Sequence, residues 1–392
     1  MRFRGPALHR KKARLARAAT IWDLRDIAKK RTPQGPFDYT DGAAESEASL
    51  DRARQAFRDI ELVPNILRDV SDVDLTREVF GVTHQMPMGI APTGFTRLMQ
   101  TEGEIAGARA AQKFGIPFSL STLGTTTIED VVASAPNGRN WFQLYMWKDR
   151  DGSMALVERA KRAGVKNLVL TVDVPAAGQR IRDYRNGLTV PPRLTAGTII
   201  NALPRPAWWI NFLTTPSIEF ASMKNWEGTV GELLDYMFDP TMTWKDFEWI
   251  RSQWDGNLII KGIQNIEDAR KAVNLGADAI LLSNHGGRQL DKAPVILNLL
   301  REVSHELNND VEIHIDSGIM NGADILAAIA LGAKFTYIGR AYLYGLMAGG
   351  QIGVEKSLSI LSSQIERNMK LLGVSNLDEL NSSHVRLLNP LF

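Results

Sequence analysis

The segment SNHGGRQLD, residues 283–291, carries side chains suited to acid–base chemistry on a small anion. His285 can exchange a proton near neutral pH. Arg288, three residues later, can hold a carboxylate through two parallel hydrogen bonds. Gly286 and Gly287 leave the intervening backbone open to a ligand. A base beside a carboxylate clamp predicts chemistry at the carbon next to a carboxylate.

Two residues from an earlier segment can complete such a site. Asp173 can pair with His285 and raise its pKa, because a nearby carboxylate favours the imidazolium. Arg180, seven residues after Asp173, can supply a second cation for the same substrate carboxylate.

A second, glycine-rich group of residues is suited to a phosphate. The segments HIDSGIMNGAD (314–324) and YIGRAYLYG (337–345) contain glycines that permit close backbone approach, and Arg340 adds positive charge. In one common barrel fold, the loops after the last two strands often bind phosphate at a helix N-terminus. No G-x-G-x-x-G follows an early strand, so a mononucleotide is a better prediction than a dinucleotide on a Rossmann unit.

These residues lie at the ends of short apolar segments that alternate with helical stretches. The apolar segments are Met88–Ala91, Phe118–Ser121, Trp141–Tyr145, Leu168–Asp173, Leu258–Lys261, Ile280–Asn284, Ile313–Asp316 and Thr336–Gly339. The helical stretches between them include Glu104–Phe114, Asp151–Ala163, Ile266–Leu275, Pro294–Leu307 and Gly322–Leu331.

This alternation predicts an α/β protein with a parallel sheet. Eight strands between residues 87 and 345 favour a (β/α)8 TIM barrel, which usually takes about 250 residues, over an open doubly wound sheet. The strand ends of such a barrel meet at one rim. The polar residues expected there are Thr93, Ser121, Gln143, Tyr145, Thr171, Asp173, Lys261, Ser283, His285, Arg288, Asp316 and Arg340.

Two additions to the barrel are predicted. Residues 1–20 form a basic arm with seven Lys and Arg and no acidic residue, and one domain fills residues 21–392. This domain begins with a helix over Ile21–Lys30, capped by Thr20. We expect the arm to be a solvated tail or to be attracted to an anionic membrane.

A long insert after the fourth strand, about residues 190–255, holds six of the nine tryptophans. We expect this insert to be a packed subdomain, a cover over the active site, or a segment that rests on a membrane.

Composition excludes several classes of protein. The chain has no cysteine, which excludes disulfides, a thiol nucleophile and Cys-ligated metals, and we predict no metal site. A net charge of +2 argues against nucleic-acid binding. No apolar run is long enough for a membrane-spanning helix, and the arm lacks the features of a secretory signal.

Together with Lys261 in LIIKG, the segment SNHGGRQLD resembles the signature of the FMN-dependent α-hydroxy acid dehydrogenases and oxidases. FDYTDGAAE (37–45), IAPTG (90–94), FQLY (142–145) and LTVDVP (170–175) follow in the family's order. The likeness runs from about residue 21 to the C-terminus. It implies FMN as cofactor and oxidation of an L-2-hydroxy acid. The chain is most similar in character to bacterial respiratory L-lactate dehydrogenases, which would make lactate the substrate and a quinone or cytochrome the electron acceptor.

The resemblance also implies a role for each site residue. His285 would be the catalytic base, supported by Asp173, and Tyr145 would bind the substrate near its α-carbon. Lys261 would stabilise negative charge on the reduced flavin beside N1. The substrate carboxylate would be held by Arg180, Arg288 and the hydroxyl of Tyr39. Residues lining the isoalloxazine would be Pro92, Thr93, Gly94, Ser121, Gln143, Thr171 and Ser283. Ribityl and phosphate would be held by Asp316, Ser317, Gly318, Gly339 and Arg340.

Three departures within the family bear on specificity. Leu123 stands where glycolate oxidases have tryptophan, which favours lactate over glycolate. Met320 replaces an arginine that many members have near the flavin. Gly94 resembles mandelate dehydrogenase, where several oxidases have alanine, and so favours a dehydrogenase.

Several alternatives stay open at this stage. The chain could be an oxidase that makes H2O2 from O2, or a mandelate-type dehydrogenase. His285 could take the α-proton or the hydroxyl proton. A non-catalytic flavin- or membrane-binding module would not need the base. By resemblance we expect a homotetramer, placed in the cytoplasm or on the inner face of the cell membrane.

Overall fold

Eight short parallel strands close into a barrel in the computed structural model, which describes residues 10–187, 189–190, 196–216, 218, 220–222, 228–229 and 237–388. In chain order the barrel strands are Met88–Ile90, Pro117–Ser121, Arg139–Tyr145, Asn167–Thr171, Asn257–Ile263, Ala279–Leu282, Glu312–Ile315 and Phe335–Ile338. Each predicted apolar segment overlaps one of these strands. The predicted TIM barrel is therefore confirmed, and the open sheet is excluded.

Side chains alternate between the barrel interior and the surrounding helices because successive strand residues point to opposite faces. The interior is filled by Ala91, Trp141, Val169, Ile259, Ala279, Leu281, Phe335 and Tyr337. Strand register sets Ser121 beside Gln143, and Thr171 beside Lys261. The polar carboxyl ends of neighbouring strands thus meet at one rim.

A hairpin of Arg77–Val79 and Val82–His84 lies at the opposite, amino end of the barrel. The ring of His84 packs against Trp141 and Phe335 of the interior. The backbone N–H of Phe80 donates to Glu312 at 3.0 Å. These contacts cover the end of the barrel away from the polar rim.

Amphipathic helices surround the strands and bury their apolar faces against them. They are Gly103–Lys113, Ile128–Ser134, Arg150–Arg162, Trp244–Gln253, Ile266–Asn274, Ile296–Leu307, Gly322–Ala330, Arg340–Gly349 and Gln351–Leu372. The five predicted barrel helices all occur, with small shifts at their ends. Short 3-10 helices form at His285–Gly287, Leu377–Glu379 and Ser382–His384, and Ile60–Leu62 pairs with Val385–Leu387.

The N-terminal extension consists of helices that pack onto the barrel. Their bounds are Arg10–Ala16, Ile21–Arg31, Gln34–Asp41 and Ala48–Arg58. Thr20 caps the second helix as predicted, since its side chain accepts from the N–H of Asp23 at 3.1 Å.

The basic arm is only partly described, because residues 1–9 lie outside the described residues. From Arg10 onward it is a helix in which Leu15 is 4% exposed. Arg14 donates to the carbonyl of Ala348 at 3.2 Å. This part of the arm is a packed helix and not a solvated tail.

The insert after the fourth strand contributes helices and one short strand pair. Ile181–Arg185 precedes the insert, Ala196–Ala202 and Pro206–Thr214 lie within it, and Thr189–Val190 pairs with Gly228–Thr229. The indole N–H of Trp208 donates to the carbonyl of Leu98, in the short helix Thr96–Met99, at 3.0 Å. Trp226 lies outside the described residues. No helix in the described part of the chain is both long and apolar enough to cross a membrane.

Candidate active site

A cavity of about 1100 Å³, its mouth included, opens at the carboxyl ends of the barrel strands. Most of the predicted site residues line it: Tyr39, Pro92, Thr93, Gly94, Leu123, Tyr145, Arg180, Lys261, His285, Arg288, Asp316, Ser317, Gly318, Gly339 and Arg340. The other predicted residues are buried directly behind this lining: Ser121, Gln143, Thr171, Asp173 and Ser283. The structure thus brings the residues predicted from separate segments to one place.

His285 and Asp173 form a hydrogen-bonded pair at the cavity wall. The Nδ1 atom of His285 lies 3.1 and 3.2 Å from the two carboxylate oxygens of Asp173. The Nε2 atom faces the hydroxyl of Tyr145 at 3.3 Å. A proton on Nδ1 that is donated to Asp173 leaves Nε2 as the basic nitrogen toward the cavity.

The backbone on both sides of this pair is unusual. His285 has a φ of 59°, in the left-handed region that non-glycine residues seldom adopt. Gly262, with a φ of 112°, packs so closely on Asp173 that a Cβ there would lie 2.7 Å from the Cβ of Asp173. Local geometry therefore holds both members of the pair in place.

Burial sets the charge of the pair. Burial by itself raises the pKa of Asp173, but His285 and Lys261 outweigh it, and the pKa is lowered overall. For His285, burial lowers the pKa by more than Asp173 raises it. The predicted contribution of Asp173, which raises the pKa of His285, is present, but the cost of burial is larger and the net pKa is lowered. The result is an ionised Asp173 beside a neutral His285, which is the protonation state that a general base needs.

Two arginines meet above the ring of Tyr39. The guanidinium carbons of Arg288 and Arg180 lie 4.6 and 5.6 Å from the ring centroid. Arg288 also donates to the backbone carbonyl of Tyr39, and Arg180 lies 3.6 Å from Asp183. Burial, and then repulsion from Arg180, lower the pKa of Arg288. Two crowded cations at the cavity wall make a binding place for a carboxylate.

Lys261 is buried at the inner end of the cavity. Its ammonium donates to the hydroxyl of Ser283 at 3.0 Å and lies 3.6 Å from a carboxylate oxygen of Asp316. The Ser283 hydroxyl also accepts from the backbone N–H of His285 at 3.0 Å. Ser283 therefore connects the buried cation with the strand end that carries the base.

A model of the family described as FMN-dependent dehydrogenase matches residues 28–387 of the chain. The chain belongs to this family. FMN is accordingly its cofactor, and the predicted membership is confirmed.

Relatives and solved structures agree with this assignment. A Mycobacterium tuberculosis (strain ATCC 25618 / H37Rv) protein with a provisional L-lactate dehydrogenase name is 58% identical over 391 residues, covering 100% of this chain and 94% of the relative. The L-lactate dehydrogenase of Vibrio cholerae serotype O1 (strain M66-2) is 40% identical over 92% of this chain and 96% of its own length. The crystal structure of the monotopic membrane protein (S)-mandelate dehydrogenase matches with a TM-score of 0.90 and 34% identity, over 95% of this chain and 100% of that chain.

Two buried polar atoms at the cavity lack hydrogen-bond partners among the residues that the structure describes, which fits the binding of a flavin there. Within the described residues, Gln143 Nε2 and Thr171 Oγ1 are buried without a hydrogen-bond partner. Such atoms cost free energy unless a ligand satisfies them. Both side chains lie on the interior face of the barrel, as Lys261 does. The polar edge of an isoalloxazine carries oxygen and nitrogen atoms that could form hydrogen bonds with them. The residues present therefore fit FMN.

Arg340, predicted to hold the flavin phosphate, is also a structural residue. It donates to the carbonyl oxygens of Thr40, Gly286 and Gly42 at 2.9, 2.9 and 2.6 Å. Burial lowers its pKa to about 10. Arg340 thus joins the N-terminal extension to the His285 loop.

Asp291, the last residue of the motif, has a related structural role. It accepts from the backbone N–H groups of Ser46 and Ser49, both at 3.0 Å. The motif therefore contains residues that position the loop as well as residues that face the cavity.

Several residues that line the cavity were not predicted from the sequence. They are Thr40, Leu50, Arg54, Ala91, Met99, Phe238, Gln289, Ile319, Tyr337 and Leu343. Gln289 lies inside the motif and could have been selected from the sequence. Leu50 and Arg54 are four residues apart and therefore share a helical face.

Phe238 comes from the later part of the insert, and no motif or periodicity in the sequence marks it. Its ring packs edge-on against Tyr145, with centroids 5.2 Å apart. The insert therefore contributes one side chain to the cavity wall, and a wider cover over the active site stays a prediction.

Proposed function

We propose that the chain oxidises L-lactate to pyruvate and passes the electrons to a membrane quinone or cytochrome. The observation that carries this proposal is the arrangement around one cavity of a neutral base, His285, and a pair of carboxylate-binding arginines, Arg180 and Arg288. The names of the similar L-lactate dehydrogenases support the choice of substrate.

Binding orients the hydroxy acid before any bond breaks. Arg180 and Arg288 take the carboxylate, which offsets the mutual repulsion of these two cations. The α-carbon and its hydroxyl then lie toward Tyr145 and His285, whose side chains are 3.3 Å apart. The Tyr145 hydroxyl keeps its proton, because burial raises its pKa, and it can donate a hydrogen bond to the substrate oxygen.

Oxidation removes two electrons and two protons from the α-carbon and its hydroxyl. His285 Nε2 takes one proton and becomes an imidazolium, which the Asp173 carboxylate on Nδ1 stabilises. When bound, FMN would accept the two electrons together with the second proton. Lys261 places a buried positive charge where negative charge would accumulate.

The cavity wall near the substrate favours a small side chain. Leu123 lies so close to Gly94 that a Cβ on the glycine would be 2.7 Å from the Cβ of Leu123. Phe238 closes the neighbouring side against Tyr145. A second candidate substrate is (S)-mandelate, which the likeness to (S)-mandelate dehydrogenase favours.

A membrane-bound acceptor is supported by the surface of the insert. Ile200, Leu203 and Leu213 are 68%, 61% and 67% exposed on or between the helices Ala196–Ala202 and Pro206–Thr214. The side chain of Asn201 accepts from the backbone of Gln34 at 2.8 Å, which joins this surface to the N-terminal extension. Exposed apolar side chains suit the inner face of the cell membrane, and the basic arm would add attraction to anionic lipids. We further propose a homotetramer by family resemblance, which sedimentation velocity can test.

Anaerobic mixing tests the reaction directly. L-lactate under nitrogen should bleach the yellow protein, and (S)-mandelate should do so with a lower kcat/KM. His285→Ala should retain the flavin and lose the bleaching. Slow reoxidation in air with fast reoxidation by a quinone would support a dehydrogenase. Bleaching that survives in His285→Ala, or fast reoxidation by O2, would contradict the proposal.

A further inference from the structure

Arg54 lines the same cavity as the catalytic residues, although it lies in the N-terminal extension and outside every motif. It belongs to the helix Ala48–Arg58, which crosses the loops after the sixth and seventh barrel strands. A Cβ on Gly287 would lie 2.8 Å from Leu50 N, and one on Gly318 would lie 3.0 Å from Ala53 O. Close packing on these glycines holds the helix against the end of the cavity where phosphate is expected.

The guanidinium of Arg54 is oriented but incompletely bonded. It lies over the ring of Trp22, with 5.0 Å between the guanidinium carbon and the ring centroid. Its Nη2 atom is buried and has no hydrogen-bond partner in the described part of the chain. A buried N–H of a charged group without a partner is costly, so the position favours an anionic ligand.

Neighbouring side chains leave few free donors at this end of the cavity. Arg340 uses one N–H of each of its three guanidinium nitrogens on the backbone carbonyls of the N-terminal extension and the His285 loop, which leaves two of its five N–H groups for a ligand. Met320, which also lines the cavity, is apolar and buried. Arg54 and Arg340 line the same cavity, and the charge of Arg54 contributes to lowering the pKa of Arg340, after burial and repulsion from Arg288. Two guanidiniums on one cavity suit a doubly charged phosphate.

We propose that Arg54 binds the phosphate of FMN and that Trp22 holds its guanidinium in place. Arg54 then adds its donors to the two N–H groups that Arg340 has left, and the N-terminal extension becomes part of the cofactor site. The inference depends on FMN as the cofactor of the proposed function, and it is independent of which hydroxy acid is oxidised.

Flavin binding to the apoprotein tests this assignment. Riboflavin is FMN without the phosphate, so titration of both flavins, followed by the quenching of flavin fluorescence, isolates the phosphate contact. Arg54→Met should raise the Kd for FMN about 10- to 100-fold, as expected for the loss of a charged hydrogen bond. It should leave the Kd for riboflavin unchanged. Arg54→Lys should fall in between, since it keeps the charge and loses the planar fork.

Arg52→Met is the matched control, because Arg52 is exposed on the same helix and does not line the cavity. It should change neither Kd. Equal weakening of FMN and riboflavin by Arg54→Met would make Arg54 a structural residue of the helix and overturn the assignment. Unchanged FMN binding would overturn it as well. If Arg54→Met does not fold, Arg54→Lys decides by the same comparison.

Failure of the proposed reaction is distinguishable from failure of this inference. Wild-type protein that binds FMN but is not bleached by any hydroxy acid would refute the reaction and leave the flavin titrations valid.

Discussion

Replacing Asp173 with asparagine removes the negative charge 3.1 Å from His285 Nδ1 and nearly keeps the size of the side chain. The imidazolium that forms on proton removal then loses its partner. With an effective dielectric constant of about 20, a pair of unit charges at this distance interacts by roughly 5 kcal/mol. Since about 1.4 kcal/mol changes a rate tenfold, the rate of flavin reduction by L-lactate should fall about 10³- to 10⁴-fold. Screening reduces this little, because the Asp173 side chain is only 2% exposed.

The pH dependence gives a second, independent signature of the same substitution. His285 must be neutral to act as a base, so kcat/KM falls as the pH drops through its pKa. Burial already lowers this pKa below 6.5, and Asp173 opposes that effect. In Asp173→Asn the opposing contribution is gone, so the acidic limb of the profile should move to lower pH while the maximum rate falls.

Anaerobic stopped-flow reduction across a pH series measures both effects. Asp310→Asn is the control and should behave like the wild type, because Asp310 is exposed and lies before the amino end of the seventh barrel strand, opposite the rim that carries the cavity. A loss of less than tenfold in rate, or an acidic limb that moves to higher pH, would refute the role assigned to Asp173.

The remaining predictions concern substrate size and the membrane. Leu123→Ala should raise the ratio of kcat/KM for (S)-mandelate to that for L-lactate at least about tenfold, because it opens the wall beside Gly94. An unchanged ratio would place the specificity elsewhere. The double variant Leu203→Asp and Leu213→Asp should weaken binding to anionic vesicles in flotation assays by about tenfold or more, since each exposed leucine would otherwise be buried in lipid. The control Leu371→Asp, on an exposed helix face elsewhere, should bind the vesicles like the wild type. Deleting residues 1–9 should weaken vesicle binding, and most strongly at low salt. Equal flotation of all these proteins would rule out this surface as the membrane contact.

Much of the fold followed from the sequence because it is encoded locally. Each barrel strand is a short apolar run, and several helices carry their own caps, as Thr20 does in the N-terminal extension and Asn321 between two barrel strands. The catalytic motif is also local, since His285 and Arg288 sit three residues apart at a strand end. A barrel then brings all strand ends to one rim whatever the details of packing. Lys261 and Asp316 could therefore be assigned to one site from separate segments.

The sequence did not reveal which residues from outside the barrel complete the site. Phe238 reaches Tyr145 from the end of the insert, and Arg54 reaches the cavity from a helix in the N-terminal extension. No periodicity or motif encodes such contacts, because they depend on how distant parts of the chain pack together.

The sequence by itself determined the barrel, the family and the side chains to which the proposed chemistry is assigned. Only the tertiary structure decided the protonation state in which His285 works. A neighbouring carboxylate can be inferred from residue types, and it favours the charged imidazole. The opposing cost of burial depends on every atom packed around the ring, and here that cost is the larger effect. The charge of the base is therefore a property of the folded cavity and not of the motif.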